Sequence, residues 1–370
     1  MNKKLSKQLS SKTGILFSRN KFSVDERIRA PEDLNLVSFR TGNGHAALWQ
    51  AYSAWQWRSK RNATYNIGLH YQHFGLNQTN SLEWRFGGRI PLINGQSAIT
   101  FGAGLHGQLQ TLPLYFVATE TDNGVIFSNK DLDFTKSQHF VLGLDHNFNR
   151  NLRFKGEIYA QFLRQVPIDP ARQPSSFSIL NEGGDFLINL PPNLVNEGDG
   201  QNFGLELTLE KFYSKGYYFL ATTSLFKSTF RGSNRQRFST KFDGGYIFNV
   251  LAGKEFQMGK NSQLLFDLKT TLAGGRRYTP IDVAASKAIN QPVLLFDQTF
   301  GLKYKDYFRT DFKVTFRINR PKLSHEIYFN VDNVFNVSNV FAEYYSTLSQ
   351  DIVRINQLGL FPTFQYTITF

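Results

Sequence analysis

From residue 45 onward, large apolar and polar side chains alternate one by one along most of the chain. Successive side chains on a strand point to opposite faces, so such runs predict strands with one apolar and one polar face. Phe308, Phe312, Val314, Phe316 and Ile318 fall on one face with Thr310; Arg309, Asp311, Lys313, Thr315 and Arg317 fall on the other. Phe203, Leu205, Leu207 and Leu209 alternate with Gly204, Glu206, Thr208 and Glu210. Leu152, Phe154, Ile158, Ala160 and Phe162 alternate with Arg153, Lys155, Glu157, Tyr159 and Gln161, and Leu82, Trp84, Phe86 and Ile90 oppose Glu83, Arg85 and Arg89. The pattern predicts thirteen strands, over 45–57, 63–75, 79–90, 96–107, 135–147, 151–163, 201–212, 217–229, 241–254, 262–273, 307–319, 323–334 and 359–370. A weaker fourteenth is expected near 12–24. Several are longer than the usual strand of a soluble domain and match the roughly 9–11 residues a tilted strand needs to cross a bilayer.

The connections sort by length. Short, Asn-, Gly-, Lys- and Arg-rich turns lie at 58–62, 91–95, 147–150, 213–216, 255–261 and 320–322, which is turn chemistry. Between them lie long connections, 108–134, 164–200, 230–240, 274–306 and 335–358, with 76–78 the short member of that set. Alternate connections of an up-and-down barrel emerge on opposite sides of the membrane, and outer-membrane barrels keep short periplasmic turns and long outer loops. The expected fold is therefore all-β, an antiparallel up-and-down transmembrane barrel. The final connection, 335–358, is then outside. The last strand runs inward with Phe364, Tyr366, Ile368 and Phe370 on one face, the alternating aromatic terminus expected to guide membrane insertion.

Composition fits that picture. Hydrophobic residues make up 41% of 370 and mean hydropathy is −0.34, yet aromatics reach 15%. A barrel hides its apolar half by alternation, whereas a helical membrane protein needs apolar runs that are absent here. Without Cys, disulfides and thiolate metal sites are excluded. The net charge is +13, of which residues 1–29 supply +6, eight Lys and Arg against Asp25 and Glu26. Residues 1–40 are expected as a poorly structured basic segment with one strand, and 41–370 as the barrel portion. The remaining +7 is spread thinly and points to no nucleic acid. The one apolar stretch near Met1 is Gly14–Phe17, shorter than the about 7–15 residues of a signal-peptide core, so no signal peptide is expected in this sequence.

Several segments carry a resemblance. They are Gly274-Gly275-Arg276-Arg277-Tyr278-Thr279-Pro280-Ile281-Asp282, then Asp306-Tyr307-Phe308-Arg309-Thr310-Asp311; His325-Glu326 through Asp332-Asn333-Val334-Phe335-Asn336; Tyr344-Tyr345; and Gln357 through Pro362. Ser176-Phe177-Ser178, Leu180-Asn181-Glu182-Gly183 and Leu194 through Gly198 add to them, as do Tyr217 through Leu220 and Gly253 through Phe256. Together they resemble TonB-dependent outer-membrane receptors of the Bacteroidetes, of the type with a carboxypeptidase-like regulatory domain. The resemblance covers most of 40–370. It implies nutrient uptake across the bacterial outer membrane through a barrel of about 22 strands holding a plug. Expected partners are outer-membrane lipid and lipopolysaccharide, the barrel-assembly machinery and, through an N-terminal part this sequence lacks, the TonB complex. The sequence departs from the family in supplying only the last 13 or 14 strands. It is read as the C-terminal portion of a receptor, with a separate 14-strand passive pore, geometrically allowed, as the alternative. An open sheet leaves two unpaired edges, so either a curved open sheet or a contracted barrel joining 359–370 to the first strand is expected.

No enzyme chemistry and no cofactor are expected. His45, His70, His73, His106, His139, His146 and His325 show no metal-ligand spacing, and His70 and His73 point to opposite faces. Asp131 and Asp133 share a face but lack the Gly and Glu spacing of a calcium loop. No phosphate loop or nucleophile elbow stands out, and Asn336-Val337-Ser338 is a chance sequon. Glu83, Arg85, Arg153, Glu157, Arg309, Asp311, Lys313 and Arg317 are expected to face the lumen, because each would cost about 2–4 kcal/mol against lipid near the midplane. Ligand contacts are expected from loops 108–134, 164–200, 274–306 and 335–358. Of these, 164–200 is stiffened by Pro167, Pro170, Pro174, Pro191 and Pro192, and 274–306 carries Arg276, Arg277 and Tyr278.

Overall fold

A computed structural model describes residues 1–29, 36–92, 95–170, 177–183 and 190–370. Pro174 and Ser176 lie outside the described residues. Besides three two-stranded sheets in the long connections, the described residues form one antiparallel sheet of 16 strands. Two, Asn2–Lys4 and Arg237–Ser239, are three residues long. The other fourteen are long: β1 Leu9–Arg29, β2 Leu36–Arg58, β3 Thr64–Phe74, β4 Thr79–Pro91 and β5 Ser97–Gln108. They continue as β6 Thr135–Asn149, β7 Leu152–Ile168, β8 Val195–Ser214, β9 Tyr217–Arg231 and β10 Tyr246–Gln257. The last are β11 Ser262–Ala273, β12 Tyr307–Arg320, β13 Leu323–Asp332 and β14 Phe361–Thr369. Each pairs with its sequence neighbours, so the sheet runs strictly up and down.

All fourteen strands read from the alternation are present. Boundaries move where the turn chemistry was unrecognised. β7 runs on to Ile168 and β8 begins at Val195, through register shifts next to Gln165, which has φ 55°. β10 begins at Tyr246 rather than 241, because Lys241 and Phe242 form a turn closed by the Asp243 N–H on the Thr240 carbonyl at 3.1 Å, and Gly245 follows at φ 94°.

Residues 1–40 depart most from expectation. β1 pairs with β2 from Leu9↔Trp57 to Arg29↔Leu36, and Asn2–Lys4 folds back onto Ser10–Lys12. Among its described residues the basic segment is thus mostly sheet. Its alternation is obscured by the consecutive apolar residues Ile15, Leu16 and Phe17, and Phe17 is held by the Trp49 ring at 4.3 Å.

Register fixes the two faces. Along one lie Ile67, Phe86, Leu142, Ile158, Phe203, Val250, Phe312, Phe329 and Phe364, and these large apolar side chains are exposed. Along the other lie most of the charged and amide side chains of mid-sheet, among them Glu83, Arg153 and Arg317. The amphipathicity is inverted relative to a soluble sheet, whose apolar face is covered. At the ends of the sheet stand β1 with Asn2–Lys4 and, on the far side, β14; among the described residues no pairing joins them. The sheet is open, not a contracted barrel.

The conventional core lies among the connections. Leu114, Tyr115, Phe116, Val117, Leu132 and Phe134 of 109–134 pack with Phe177, Leu190 and Leu194 of the next long connection and with Ala46 and Phe74 of β2 and β3. Phe116 reaches Phe22 of β1 at 4.5 Å. Burying one such side chain contributes about 1.5–3 kcal/mol. Two short helices, Leu112–Tyr115 and Val283–Ile289, stand in these connections.

The register makes a direct prediction. Leu205 and Leu225 are Cα partners in the β8–β9 ladder, and Ser224 points to the opposite face. In this Cys-free chain, Leu205→Cys with Leu225→Cys is expected to cross-link on mild oxidation. Leu205→Cys with Ser224→Cys is not, as read by intact mass.

Candidate functional site

At the long-connection end, four connections meet around a cavity of about 330 Å³. Phe177 and Asn181 come from 169–194, Lys241 from 232–245, Arg276, Tyr278 and Tyr304 from 274–306, and Phe341 and Glu343 from 333–360. That volume falls within the range of small-molecule pockets, about 300–1,000 Å³.

Each connection is anchored from its own sequence. The Gly244 and Gly274 backbones approach so closely that a Cβ on either would meet the other's carbonyl. Asp243, 1% exposed, receives Lys227 Nζ at 2.6 Å and the Ser228 N–H at 2.9 Å, and its carboxylate lies 3.2 Å from Arg277 Nε. Burial would push its carboxyl up, but Lys227, the Ser228 N–H and Ser239 hold it below the usual carboxylate range. Arg277 also donates to the Asp243 carbonyl at 3.0 Å. Tyr278 stacks on Tyr304 at 4.4 Å and 11°. Burial, aided by the Glu343 carboxylate, pushes the Tyr304 hydroxyl up to about 12, so it stays a neutral wall residue. Asn339 clamps both the N–H and the carbonyl of Phe308, and buried Asn333 accepts from the Val337 N–H and donates to its carbonyl.

The cavity floor is rich in donors. Asn181 accepts the Lys241 N–H at 2.9 Å, while its own Nδ2, in a residue 4% exposed, has no hydrogen-bond partner among the described residues. Arg276 donates to the Phe341 carbonyl and lies 5.5 Å from that ring's centre. With aromatic walls and an unsatisfied donor, the cavity is suited to a small ligand bearing acceptor oxygens, since a buried polar group without a partner costs about 1–3 kcal/mol.

The predicted polar-face residues are all ion-paired. Glu83 is a hub, 1% exposed, receiving Gln72 at 2.6 Å and the Gly107 N–H at 3.0 Å, with His70 at 3.0 Å and Arg85 at 3.1 Å. Arg153 pairs with Asp145 at 2.8 Å, Glu157 with Lys155 at 2.6 Å, and Arg309 with Asp311 at 2.6 Å and Asp332 at 2.8 Å. Lys313 stands 3.6 Å from Asp267, and Arg317 takes Glu326 at 2.6 Å. None of the eight lines the loop cavity. His106 and His139 meet edge to face at 5.0 Å, but among the described residues no three His, Cys, Asp or Glu could hold a metal. Asp133 is occupied by the Phe134 N–H and Gln165. Phe364, Tyr366 and Ile368 lie on the apolar face opposite Phe329, Ile327 and His325.

Loop pairing brings together segments far apart in sequence: Phe177 to Glu182, Arg276 to Thr279, and Phe341 to Glu343. Sequence reading singled out Arg276, Arg277 and Tyr278. It named Asn181 only within a motif and missed Asp243 and Asn339. A Gly-Gly pair after an Asp, as in Asp243-Gly244-Gly245, was the available turn signal.

No family model and no curated protein matches the chain. Solved structures do. Against the outer-membrane transporter YddB of Escherichia coli the TM-score is 0.62 at 11% identity, covering 100% of this chain and 52% of that one. Against the ferric yersiniabactin uptake receptor FyuA of Yersinia pestis it is 0.66 at 12% identity, covering 98% and 51%. Against the ferric-catecholate import receptor Fiu of E. coli it is 0.65 at 12% identity, covering 97% and 52%. At such identity the likeness shows the fold. The chain spans about half the length of these structures.

Gly274→Ala is expected to destabilise the packed loops by about 1–3 kcal/mol, the cost of an overpacked site, seen as faster protease cleavage within 232–306. Because the carboxyl of Asp243 is depressed, its contribution is complete above its unfolded pKa of about 3.9 and is lost as pH falls through the lower folded value. Asp243→Asn is expected to remove that acid-side loss, measured as loop protease resistance against pH in both proteins.

Proposed function

We propose that the chain is the C-terminal part of the barrel of a TonB-dependent outer-membrane receptor that takes up a nutrient, of the Bacteroidetes type with a carboxypeptidase-like regulatory domain. The observation that carries the reading is the pairing of inverted amphipathicity with connection length. Six connections on one side, from 59–63 to 321–322, are turns of a few residues, whereas those on the other reach 26 residues in 109–134 and 33 in 274–306. Outer-membrane barrels sort their connections this way. The likeness to half of several outer-membrane transporters and receptors supports it.

In this reading the apolar face meets lipid and the polar face the lumen, with Glu83, Arg85, Arg153, Glu157, Arg309, Asp311, Lys313 and Arg317 lining it. The long loops stand outside, and the ligand is first met at the cavity around Asn181 and Arg276. Further strands complete the barrel between the edges of β1 and β14, since lipid tolerates no unpaired strand edge. A plug and the TonB-contacting segment belong to the same receptor. Phe364, Tyr366, Ile368 and Phe370 present the terminal strand to the assembly machinery.

The absence of Cys allows a clean test of location and orientation. Ser349→Cys, exposed at a loop tip, is expected to react with a membrane-impermeant maleimide on intact cells. Lys60→Cys, exposed in a short turn, is expected to react only after the outer membrane is permeabilised. The reverse labelling, or labelling of neither site in a folded membrane fraction, overturns the reading.

A further inference from the structure

One row of side chains at the long-connection end does not fit a face made only for hydrocarbon. Lys136 stands directly opposite Arg164 in the β6–β7 ladder. Asp199 stands opposite Arg231 in β8–β9, and Arg231 opposite Arg237 of the short strand Arg237–Ser239. Strand alternation puts the row on the apolar face: Lys136 is in step with Phe140 and Leu142, Arg164 with Phe162, Asp199 with Phe203, and Arg231 with Leu225. Just beyond the row towards mid-sheet, the rings of Phe140, Phe162 and Phe203 form a continuous apolar patch, with centroids 6.4 and 5.6 Å apart.

Like charges placed directly opposite in a sheet destabilise it, and this row contains two such pairs, Lys136 with Arg164 and Arg231 with Arg237. Their one carboxylate, Asp199, is shared by Arg231 Nε at 2.6 Å and Arg237 Nη2 at 3.2 Å. Lys136 Nζ lies 5.1 Å from the Phe134 ring centre and donates to the Asn80 carbonyl at 3.2 Å, while Arg164 is exposed. The neighbouring carboxylates do not restore balance. Asp243 takes Lys227 at 2.6 Å, Asp133 and Glu83 attract Lys136 and so offset it only in part, and Glu197 stands further out than Asp199 on β8.

We propose that this row binds the phosphate groups of lipopolysaccharide in the outer leaflet. Lys136 and Arg164 take one phosphate, Arg231 and Arg237 approach a second, and the acyl chains lie on the Phe140, Phe162 and Phe203 rings. A soluble anion could meet the row but would leave that ring patch unused. The juxtaposition of surplus cations and an apolar patch on one face selects an amphiphile with a phosphate head. Guanidinium groups suit phosphate through paired, charge-assisted hydrogen bonds. The inference rests on the membrane placement proposed above.

The test uses the full chain in detergent micelles, titrated in parallel with bisphosphorylated lipid A, lipid A stripped of both phosphates, and inorganic phosphate. The readout is the thermal midpoint of the β-sheet circular dichroism signal. Bisphosphorylated lipid A is expected to raise the midpoint saturably. Stripped lipid A is expected to bind about tenfold more weakly or worse, a difference of about 1.4 kcal/mol, and inorganic phosphate to have no effect at equal concentration. Arg164→Gln with Arg231→Gln is expected to lose the phosphate-dependent part while keeping the lipid-free spectrum; Lys313→Gln on the polar face is expected to bind as the parent does. Equal shifts from both lipids, an equal shift from inorganic phosphate, or parent-like binding by the double variant overturns the proposal. A chain with no β-sheet signal in micelles overturns the barrel reading beneath it, whereas an intact sheet without phosphate dependence overturns the lipid site alone.

Discussion

The structure depends on one constraint: the backbone hydrogen bonds of a broad sheet must be satisfied while its apolar side chains point away from all other protein. A soluble sheet buries its apolar face and solvates the other. Here large apolar side chains such as Leu82, Leu142 and Phe364 are more than half exposed, while Glu83 on the opposite face is 1% exposed. The strand-to-strand ladder carries the cohesion a hydrophobic interior would otherwise supply. The polar face reinforces it with cross-strand ion pairs, Arg153 to Asp145 and Arg317 to Glu326 among them.

That inversion leaves a core to be made elsewhere, and the long connections make it. The cluster around Leu114, Tyr115, Phe134 and Phe177 has the burial of an ordinary domain interior, and burial pushes the Tyr115 hydroxyl up to about 12. Two small residues permit the neighbouring assembly. Without side chains at Gly244 and Gly274 their backbones meet, and Arg277, paired with Asp243, reaches the cavity beside Tyr278. Loops built this way are fixed platforms rather than loose tethers. This suits a site that must hold a donor such as Asn181 Nδ2, which has no partner among the described residues, in place.

The strands were legible because each interconverts two signals, period-2 alternation and turn residues, that agree. From β3 to β14 the two coincide, and the strands lie where they were read apart from the displaced ends of β7, β8 and β10. The β1–β2 hairpin was hard to see because Ile15-Leu16-Phe17 breaks the period and Lys12, Arg19 and Lys21 resemble a solvated tail. The loops were legible by length but not by content. The helix Val283–Ile289 is announced by Asp282, whose side chain accepts the Ala285 N–H at 2.9 Å, a capping signal that the search for strands passed over. The cavity could not be read because its members come from four connections, and only backbone approach at two glycines brings them together. The cationic row was hidden because register, not sequence spacing, makes neighbours of Lys136 and Arg164.

The two borders of the open sheet are chemically unlike. Beside β1, the short strand Asn2–Lys4 covers Ser10–Lys12, Met1 exchanges hydrogen bonds with Thr13, and Lys3, Lys4, Lys7 and Lys12 crowd the margin. Short flanking strands and lysines are how proteins blunt a border against indiscriminate pairing. β14 has no such guard: Thr363, Gln365, Thr367 and Thr369 alternate with aromatic and aliphatic residues, and a single proline, Pro362, stands near its start. One border is passivated over part of its length and the other is adhesive. A sheet so built has a direction of growth, and the adhesive side is where any strand, proper or foreign, is captured first.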